Sequence, residues 1–199
     1  AKALMHWQYR HAFCGSCGTP NRLESAGHRL VCSNPACARE SFPRIDPAII
    51  VLITHGDACL LGRNAAWPDR RFSTLAGYLE PGESLEDEVT REVYEEARVR
   101  LSSIRYVSSQ PWPFPSSTMC GFYAEAASRD CAPTEEMVEL RWLTAAELAQ
   151  AIERDEIRVP PPVSIAFRLI ADWYRRQSGR RLADVTRSAA GWASREGLE

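Results

Sequence analysis

Between Gly77 and Val99 the chain reads GYLEPGESLEDEVTREVYEEARV, and this stretch restricts the fold more tightly than any other. Ser84 followed by Asp87 is a capping signal, and Leu85 to Ala97 holds neither glycine nor proline. The second half is therefore predicted to be a helix, with Gly77 to Glu83 as the loop leading into it. At about 100° per residue, Glu88, Glu92, Glu95 and Glu96 crowd within about 100° of arc, beside an apolar stripe of Val89, Val93 and Ala97. A run of acids is ordinarily a solvated face. Here Glu88/Glu92 and Glu92/Glu96 repel at i, i+4, each pair costing about 0.2–0.5 kcal/mol, Glu92/Glu95 adds an i, i+3 pair, and only Arg91 lies nearby to offset them. Carboxylates clustered in this way are what hard divalent cations such as Mg²⁺ or Mn²⁺ require, and those ions in turn suit phosphate oxygens.

Four of the seven cysteines form two pairs, Cys14 and Cys17 in FCGSCG and Cys32 and Cys37 in CSNPAC, with fourteen residues between the pairs. This pattern places four thiolates around one tetrahedral zinc, while Gly15 and Gly18 let the chain turn around the first pair. The alternative, two disulfides or four ordinary thiols, suits a secreted chain better than one without a secretion signal. Four sulfurs close the coordination shell and leave no position for water, so the zinc is expected to be structural. Cys59, Cys120 and Cys131 lie in or beside strand-like segments and read as core or surface thiols.

A net charge of -2 and a pI near 6.2 give no global attraction to nucleic acid or anionic membrane. The longest apolar run, AIIVLI from Ala48 to Ile53, is far short of the roughly 18 to 20 residues of a membrane span, so the chain reads as cytoplasmic. It opens on Ala1 rather than methionine. PAIIVLI and ACLLG flank THGD as a hairpin turning at Gly56 and Asp57, and FSTLAGYL, IRYVSS, MCGFYAEA and VELRWL read as further strands. Thr144 with Glu147 opens a helix over TAAELAQAIE. Pro160 to Pro162 precede a last amphipathic helix carrying Ile165, Leu169 and Trp173, and the tail from Ser178 is assigned no fold.

One segment fits neither a helix nor a central strand: SQPWPFPSS, Ser109 to Ser117, sets Trp112 and Phe114 among three prolines. Taken alone it reads as a stiff loop whose aromatics either cover the core or face a ligand.

Gly77, five residues, Glu83, seven residues and then Arg91-Glu92-Val93-Tyr94-Glu95-Glu96 resemble the Nudix box, the signature of hydrolases of nucleoside diphosphates linked to another group. One position departs from the pattern, Arg98 standing where glycine is expected to serve a left-handed helix cap; the departure is expected to adjust stability rather than chemistry. The paired cysteines ahead of the box and SQPWPFPSS behind it resemble the NADH pyrophosphatase (NudC) branch, whose members also remove NAD caps from RNA. The resemblance covers the chain from Cys14 to Arg176. Members of that branch usually carry a further domain ahead of the ribbon, for which the residues before Cys14 leave no room.

The resemblance implies an α/β fold: a Nudix α/β/α sandwich with a mixed sheet over residues 45–177, preceded by an N-terminal segment and small zinc ribbon over 1–44 and followed by a tail over 178–199. It implies metal-dependent hydrolysis of the NAD(H) pyrophosphate to nicotinamide mononucleotide and AMP, with Glu92, Glu96 and Glu136 as metal ligands, Glu95 as ligand or general base, and the Ala76 carbonyl as a further oxygen. Glu139 is either another ligand or a solvent-facing strand residue. Gly77, Glu83 and Arg91 support the box, Glu83 and Arg91 as a pair bracing the loop. Substrate contacts are implied for Phe42, for Gln110, Pro111, Trp112, Pro113, Phe114, Pro115, Ser116 and Ser117, and for Ala166. Relatives are homodimers whose pocket is completed across the interface. Two other outcomes stay open: a Nudix hydrolase of ADP-ribose or a dinucleoside polyphosphate, and an inactive zinc-ribbon protein binding nucleic acid. For the second, Arg175, Arg176, Arg180 and Arg181 either meet RNA phosphates or form a solvated helix end.

Overall fold

A computed structural model describes residues 1–188, which group into two compact units: Ala1–Pro47 with Gln110–Met119, and Ala48–Ser109 with the chain from Cys120 onward. The first unit opens with helix α1 (Lys2–Arg10), which buries only Trp7. Three short antiparallel strands follow in the order β1 (Asn21–Glu24), β2 (Arg29–Cys32) and β3 (Glu40–Ser41). The two cysteine pairs sit on tight turns. Gly18, at φ +72°, donates its N–H to the Cys14 carbonyl (2.9 Å), and the Asn34 carbonyl accepts from Cys37 (3.0 Å), closing the longer second loop.

Six strands, most of whose residues belong to the second unit, form a sheet in the order β7 (Leu101–Trp112), β8 (Ser117–Ala126), β4 (Asp46–His55), β5 (Ala58–Asn64) and β9 (Met137–Thr144), with β6 (Leu75–Tyr78) also pairing β4. The β4–β5 hairpin turns at Gly56 and Asp57, with His55 opposite Ala58 and Gly56 at φ +62°. Helix α2 (Leu85–Ala97) has a complete capping box between Ser84 and Asp87, and helix α3 (Ala145–Glu153) has one between Thr144 and Glu147. Helix α4 (Ile165–Ser178) starts at Ser164, whose hydroxyl accepts the Phe167 N–H, and buries Ile165, Leu169 and Trp173.

Alternation along the strands divides the core. Ile49, Val51 and Ile53 of β4 and Phe122, Ala124 and Ala126 of β8 pack with Val89, Val93 and Ala97 of α2. Tyr123, on the opposite side of β8, donates its hydroxyl to the Leu169 carbonyl of α4 (3.0 Å). Helices thus cover both faces of the sheet.

Four local expectations change. Ser109 to Trp112 complete β7 rather than forming a loop. β7 is an edge strand, where Pro111 removes no needed ladder bond, and only Pro113 to Ser116 turn. Gly77 and Tyr78 belong to β6, so the loop into α2 starts at Leu79. Within FSTLAGYL only Leu75–Tyr78 is a strand, Ser73 making an isolated bridge to Gly62. The tail from Ser178 is not structureless: Leu182–Ser188 form helix α5, with Leu182, Val185 and Thr186 buried. Ser178 ends α4, and residues 189–199 lie outside the described residues.

Arg98 closes α2 in the left-handed conformation, φ +60° and ψ 20°, its guanidinium 5.3 Å from the Tyr94 ring centroid. Any Cβ at this backbone geometry costs about 1 kcal/mol. Arg98→Gly is expected to melt higher than Arg98→Ala by an amount worth about 1 kcal/mol, since both lose the side chain and only glycine relieves the backbone. Thermal melts of the two variants check this.

Candidate functional site

Three elements converge on the glutamates of α2. Strand β6 pairs with β4 so that Gly77 stands opposite Ile49 and Ala76 opposite Ile50, and α2 packs across both strands. Glu88 is fully buried and accepts the Ile49 N–H through Oε1 (3.2 Å), while its Oε2 has no partner. One turn on, Glu92 lies over Gly77. A Cβ built at Gly77 would fall 1.9 Å from the Glu92 carboxyl carbon, so only glycine leaves that carboxylate where it is. Glu96, 4% exposed, accepts the Ala76 backbone N–H, and its Oε2 has no partner.

Burial pushes the Glu96 carboxyl up to about 8, and the nearby charges of Glu92 and Glu136 push the same way. Burial likewise raises Glu88 to about 7 and lifts Glu92 above the usual carboxylate range. Two buried acids, each with an oxygen lacking a partner, are an unfavourable arrangement for a fold to keep without a cation.

Arg91 is the only cation in contact with this group among the described residues. It donates to Glu83 Oε1 (2.7 Å) and Oε2 (3.1 Å), to Glu92 Oε1 (3.0 Å), to Glu95 Oε2 (3.0 Å) and to the Tyr78 carbonyl (3.2 Å). The loop, strand β6 and helix α2 are thereby tied at one side chain, and the Arg91 hydrogen bonds hold Glu83 below the usual carboxylate range. Glu95 is exposed, as is Glu136, which accepts from Asn64 Nδ2 (3.1 Å). Glu139 is half-buried on β9. It lies between two arginines, with Arg63 Nε at 3.3 Å and Arg141 Nη2 at 2.6 Å. Burial opposes its ionisation, but the two guanidiniums outweigh it and hold the carboxyl below its ordinary range.

In the first unit the ligand atoms of Cys14, Cys17, Cys32 and Cys37 all lie within 4.8 Å of one another. The Sγ separations of 3.9 Å for Cys14–Cys37 and 3.4 Å for Cys17–Cys32 are far beyond the about 2.05 Å of a disulfide and near the about 3.8 Å of a tetrahedron with Zn–S bonds of about 2.3 Å. All seven cysteines are free thiols. Hydrogen bonding with Thr19 draws Cys17 down to about 6, while burial pushes Cys32 up to about 12.

Phe42 and Phe114 lie on the surface of this unit. Phe42 is 63% exposed and Phe114 57%, Phe114 meeting Trp112 edge-on at 5.3 Å and carrying the Lys2 ammonium 4.1 Å from its centroid. Gln110, Trp112 and Pro113 are half-buried, Pro111 and Pro115 exposed, and Ser116 and Ser117 buried. The Ser116 hydroxyl donates to Asp46 Oδ2 (3.3 Å). In the second unit Ala166 is buried within α4, so its methyl has little surface to offer a ligand.

The profile of the NUDIX domain matches residues 44–161, and that of the NADH pyrophosphatase zinc ribbon domain matches residues 10–42. The chain belongs to the NUDIX family. It has a mixed-sheet Nudix fold preceded by a zinc ribbon. It is 38% identical over 187 residues to NAD-capped RNA hydrolase NUDT12 of Macaca fascicularis (88% of this chain, 40% of that protein). It is 42% identical over 175 residues to NAD-capped RNA hydrolase NudC of Stutzerimonas stutzeri (87% and 60%). The chain therefore spans 40% to 60% of the length of these relatives. A NUDIX hydrolase structure from Nitrosomonas europaea superposes with a TM-score of 0.62 at 25% identity, covering 85% of this chain and 94% of that one. Among the described residues no helix is long and apolar enough to cross a membrane.

Nudix membership implies a divalent cation, and the α2 cluster fits one: oxygen donors only, two of them buried without partners, and a glycine that leaves room for Glu92. Sequence reasoning missed two parts of this site. Glu88 counted only as one more charge on the helical wheel, although its i, i+4 repulsion with Glu92 was a signal that something compensates. Asn64, which steadies Glu136 from β5, carried no signal at all.

Proposed function

We propose that the chain hydrolyses the pyrophosphate bond of NAD(H), free or as the 5′ cap of RNA, giving nicotinamide mononucleotide and AMP or a 5′-monophosphate RNA. The observation that carries the chemistry is Glu96, a buried carboxyl with an oxygen lacking a partner, beside Glu92 and within reach of the charge of Glu136. The choice of substrate is supported by relatives named for NAD-capped RNA and by the matching zinc ribbon.

Glu92, Glu95, Glu96, Glu136 and the Ala76 carbonyl would hold Mg²⁺ or Mn²⁺. Such ions, when bound, neutralise pyrophosphate oxygens and make water a better nucleophile. Arg91 holds Glu92 and Glu95 in fixed directions, so that the carboxylates need little reorganisation when substrate arrives. Glu95, exposed at the end of that contact, acts as general base or as a further ligand. Glu83 supports the loop through Arg91, and Glu88 anchors α2 to β4. Phe42 stacks on a substrate ring, residues 110–117 border the dinucleotide, and Ala166 contributes through α4. Cys14, Cys17, Cys32 and Cys37 hold a structural Zn²⁺. We place the enzyme in the cytoplasm, as a homodimer, with its catalytic domain over residues 45–177.

The deciding measurement is product analysis with NADH, NAD⁺, NAD-capped RNA and ADP-ribose in parallel. Nicotinamide mononucleotide from the first three at higher kcat/KM than ADP-ribose turnover supports the reading. Preference for ADP-ribose overturns the substrate, and no turnover of any of them under Mg²⁺ or Mn²⁺ overturns the activity.

Gly77→Ala tests the geometry. The atoms a Cβ would strike are the far end of the Glu92 side chain, which can swing away, so the melting temperature should change little. Turnover should fall about 10²-fold, the cost of misplacing a catalytic group by about 1 Å. Melting and kinetics on the same preparation check both halves.

A further inference from the structure

The face of the sheet that carries α4 holds a second arrangement of charge. Phe122, Ala124 and Ala126 of β8 turn toward α2, so Tyr123 and Glu125 face the other side. A polar cleft of about 390 Å³ opens there, its lining including Ser103, Arg105, Tyr123, Arg176 and Gln177. Arg105, from edge strand β7, sits with Cζ 5.1 Å from the Tyr123 ring centroid. Arg176, from the last turn of α4, sits at 4.5 Å.

One ring therefore gathers two guanidiniums, and among the described residues neither forms an ion pair. Of the carboxylates nearby, Glu125 also lines the cleft and accepts from Thr54 Oγ1 (2.7 Å) and the Gly56 N–H (3.2 Å), and Asp172 pairs with Arg168 (3.9 Å). Exposed Arg175, Arg180 and Arg181 lie close along the chain. Cations at the C-terminal end of α4 suit the helix dipole, which accounts for Arg175 and Arg176, but Arg105 is on a strand and has no such reason to be there.

We propose that this cleft binds the phosphodiester backbone of single-stranded RNA, Arg105 and Arg176 each donating to phosphate oxygens of the chain that follows the 5′ cap. A guanidinium fork matches a phosphate, and the tyrosine face holds each fork oriented at low entropic cost. The chain as a whole carries a charge of -2, and α2 presents carboxylates on the opposite face. A polyanion is thus better received on the α4 face, reached around edge strand β7. The proposal rests on capped RNA being the substrate, but its main test needs no turnover.

The test is fluorescence anisotropy of a labelled single-stranded oligoribonucleotide with a 5′-monophosphate, in EDTA, across a salt series, with the full chain and with Arg105→Gln/Arg176→Gln. Loss of two phosphate contacts should lower the salt slope by about 1.4 and weaken binding about 25-fold at about 0.1 M salt. Arg105→Lys/Arg176→Lys should recover most of the slope, which separates lost charge from lost packing on Tyr123. In turnover, the Gln pair should lower kcat/KM for a capped oligonucleotide at least fivefold more than for NADH. Equal RNA binding by wild type and the Gln pair, equal losses on both substrates, or binding of phosphatidylserine vesicles in place of RNA would each overturn the proposal. Failure of the wild type to hydrolyse NADH or capped RNA would instead overturn the activity proposed above and leave the binding result standing.

Discussion

Glu96→Gln is expected to lower kcat/KM for NADH by about 10²- to 10⁴-fold, the range over which a positioned acid–base or charge-holding group acts, while the melting temperature of the metal-free protein holds or rises. The two halves have one cause. Glu96 is buried beside Glu92, and burial with the neighbouring negative charges of Glu92, Glu136 and Glu95 resists its ionisation. The fold therefore keeps an acid it would be more comfortable without, which is reasonable only if the charge is used. Glutamine preserves size and helix propensity and can still accept the Ala76 N–H, but it removes the negative charge that would hold a cation. Kinetics over a Mn²⁺ titration, with melts in EDTA, separate the outcomes. Near-normal activity at limiting Mn²⁺ would remove Glu96 from the metal site. A large drop in melting temperature would make its role structural.

Removing zinc should unfold the first unit and leave the second standing. Of its hydrophobic residues, only Trp7, Leu30, Val31 and the ligands Cys14 and Cys32 are buried. So small a core cannot by itself offset the entropy of ordering the unit. Binding energy for a structural zinc, about 10–16 kcal/mol in isolated fingers, is then folding energy. Metal analysis should find one zinc per chain. Chelation, or Cys32→Ser, should abolish protection of the β1–β3 amides in hydrogen exchange while the β4, β5 and α2 amides keep theirs. Protein with four reduced thiols, no zinc and a fully protected ribbon would sink the idea.

Features whose cause is local in the chain are legible in the sequence alone. The capping boxes at Ser84/Asp87 and Thr144/Glu147, the turn at Gly56 and Asp57 and the left-handed cap at position 98 each depend on residues a few positions apart. The cysteine spacing belongs with them, since short turns at each pair bring the sulfurs together. The Nudix register is legible for the same reason, as α2 carries most of it on one helix.

Other features are decided by what folds against what. Helix α5 has only seven residues, too few to persist on propensity, and exists because Leu182 and Val185 are buried by the rest of the unit. Ser109 to Trp112 are strand because β7 lies at the edge of the sheet, where a proline is tolerated. Glu139 reads as a solvent-facing or ligand carboxylate in the linear order, and it is the pairing of β5 with β9 that sets it between Arg63 and Arg141. Glu88 and Gly77 show the limit most plainly. Composition presents one as a surface acid and the other as a flexible residue. Only the packing of α2 over β4 and β6 makes Glu88 the acceptor for Ile49 and Gly77 the floor beneath Glu92, because a hydrogen bond across 39 residues and a 1.9 Å exclusion are properties of neighbours that the linear order does not contain.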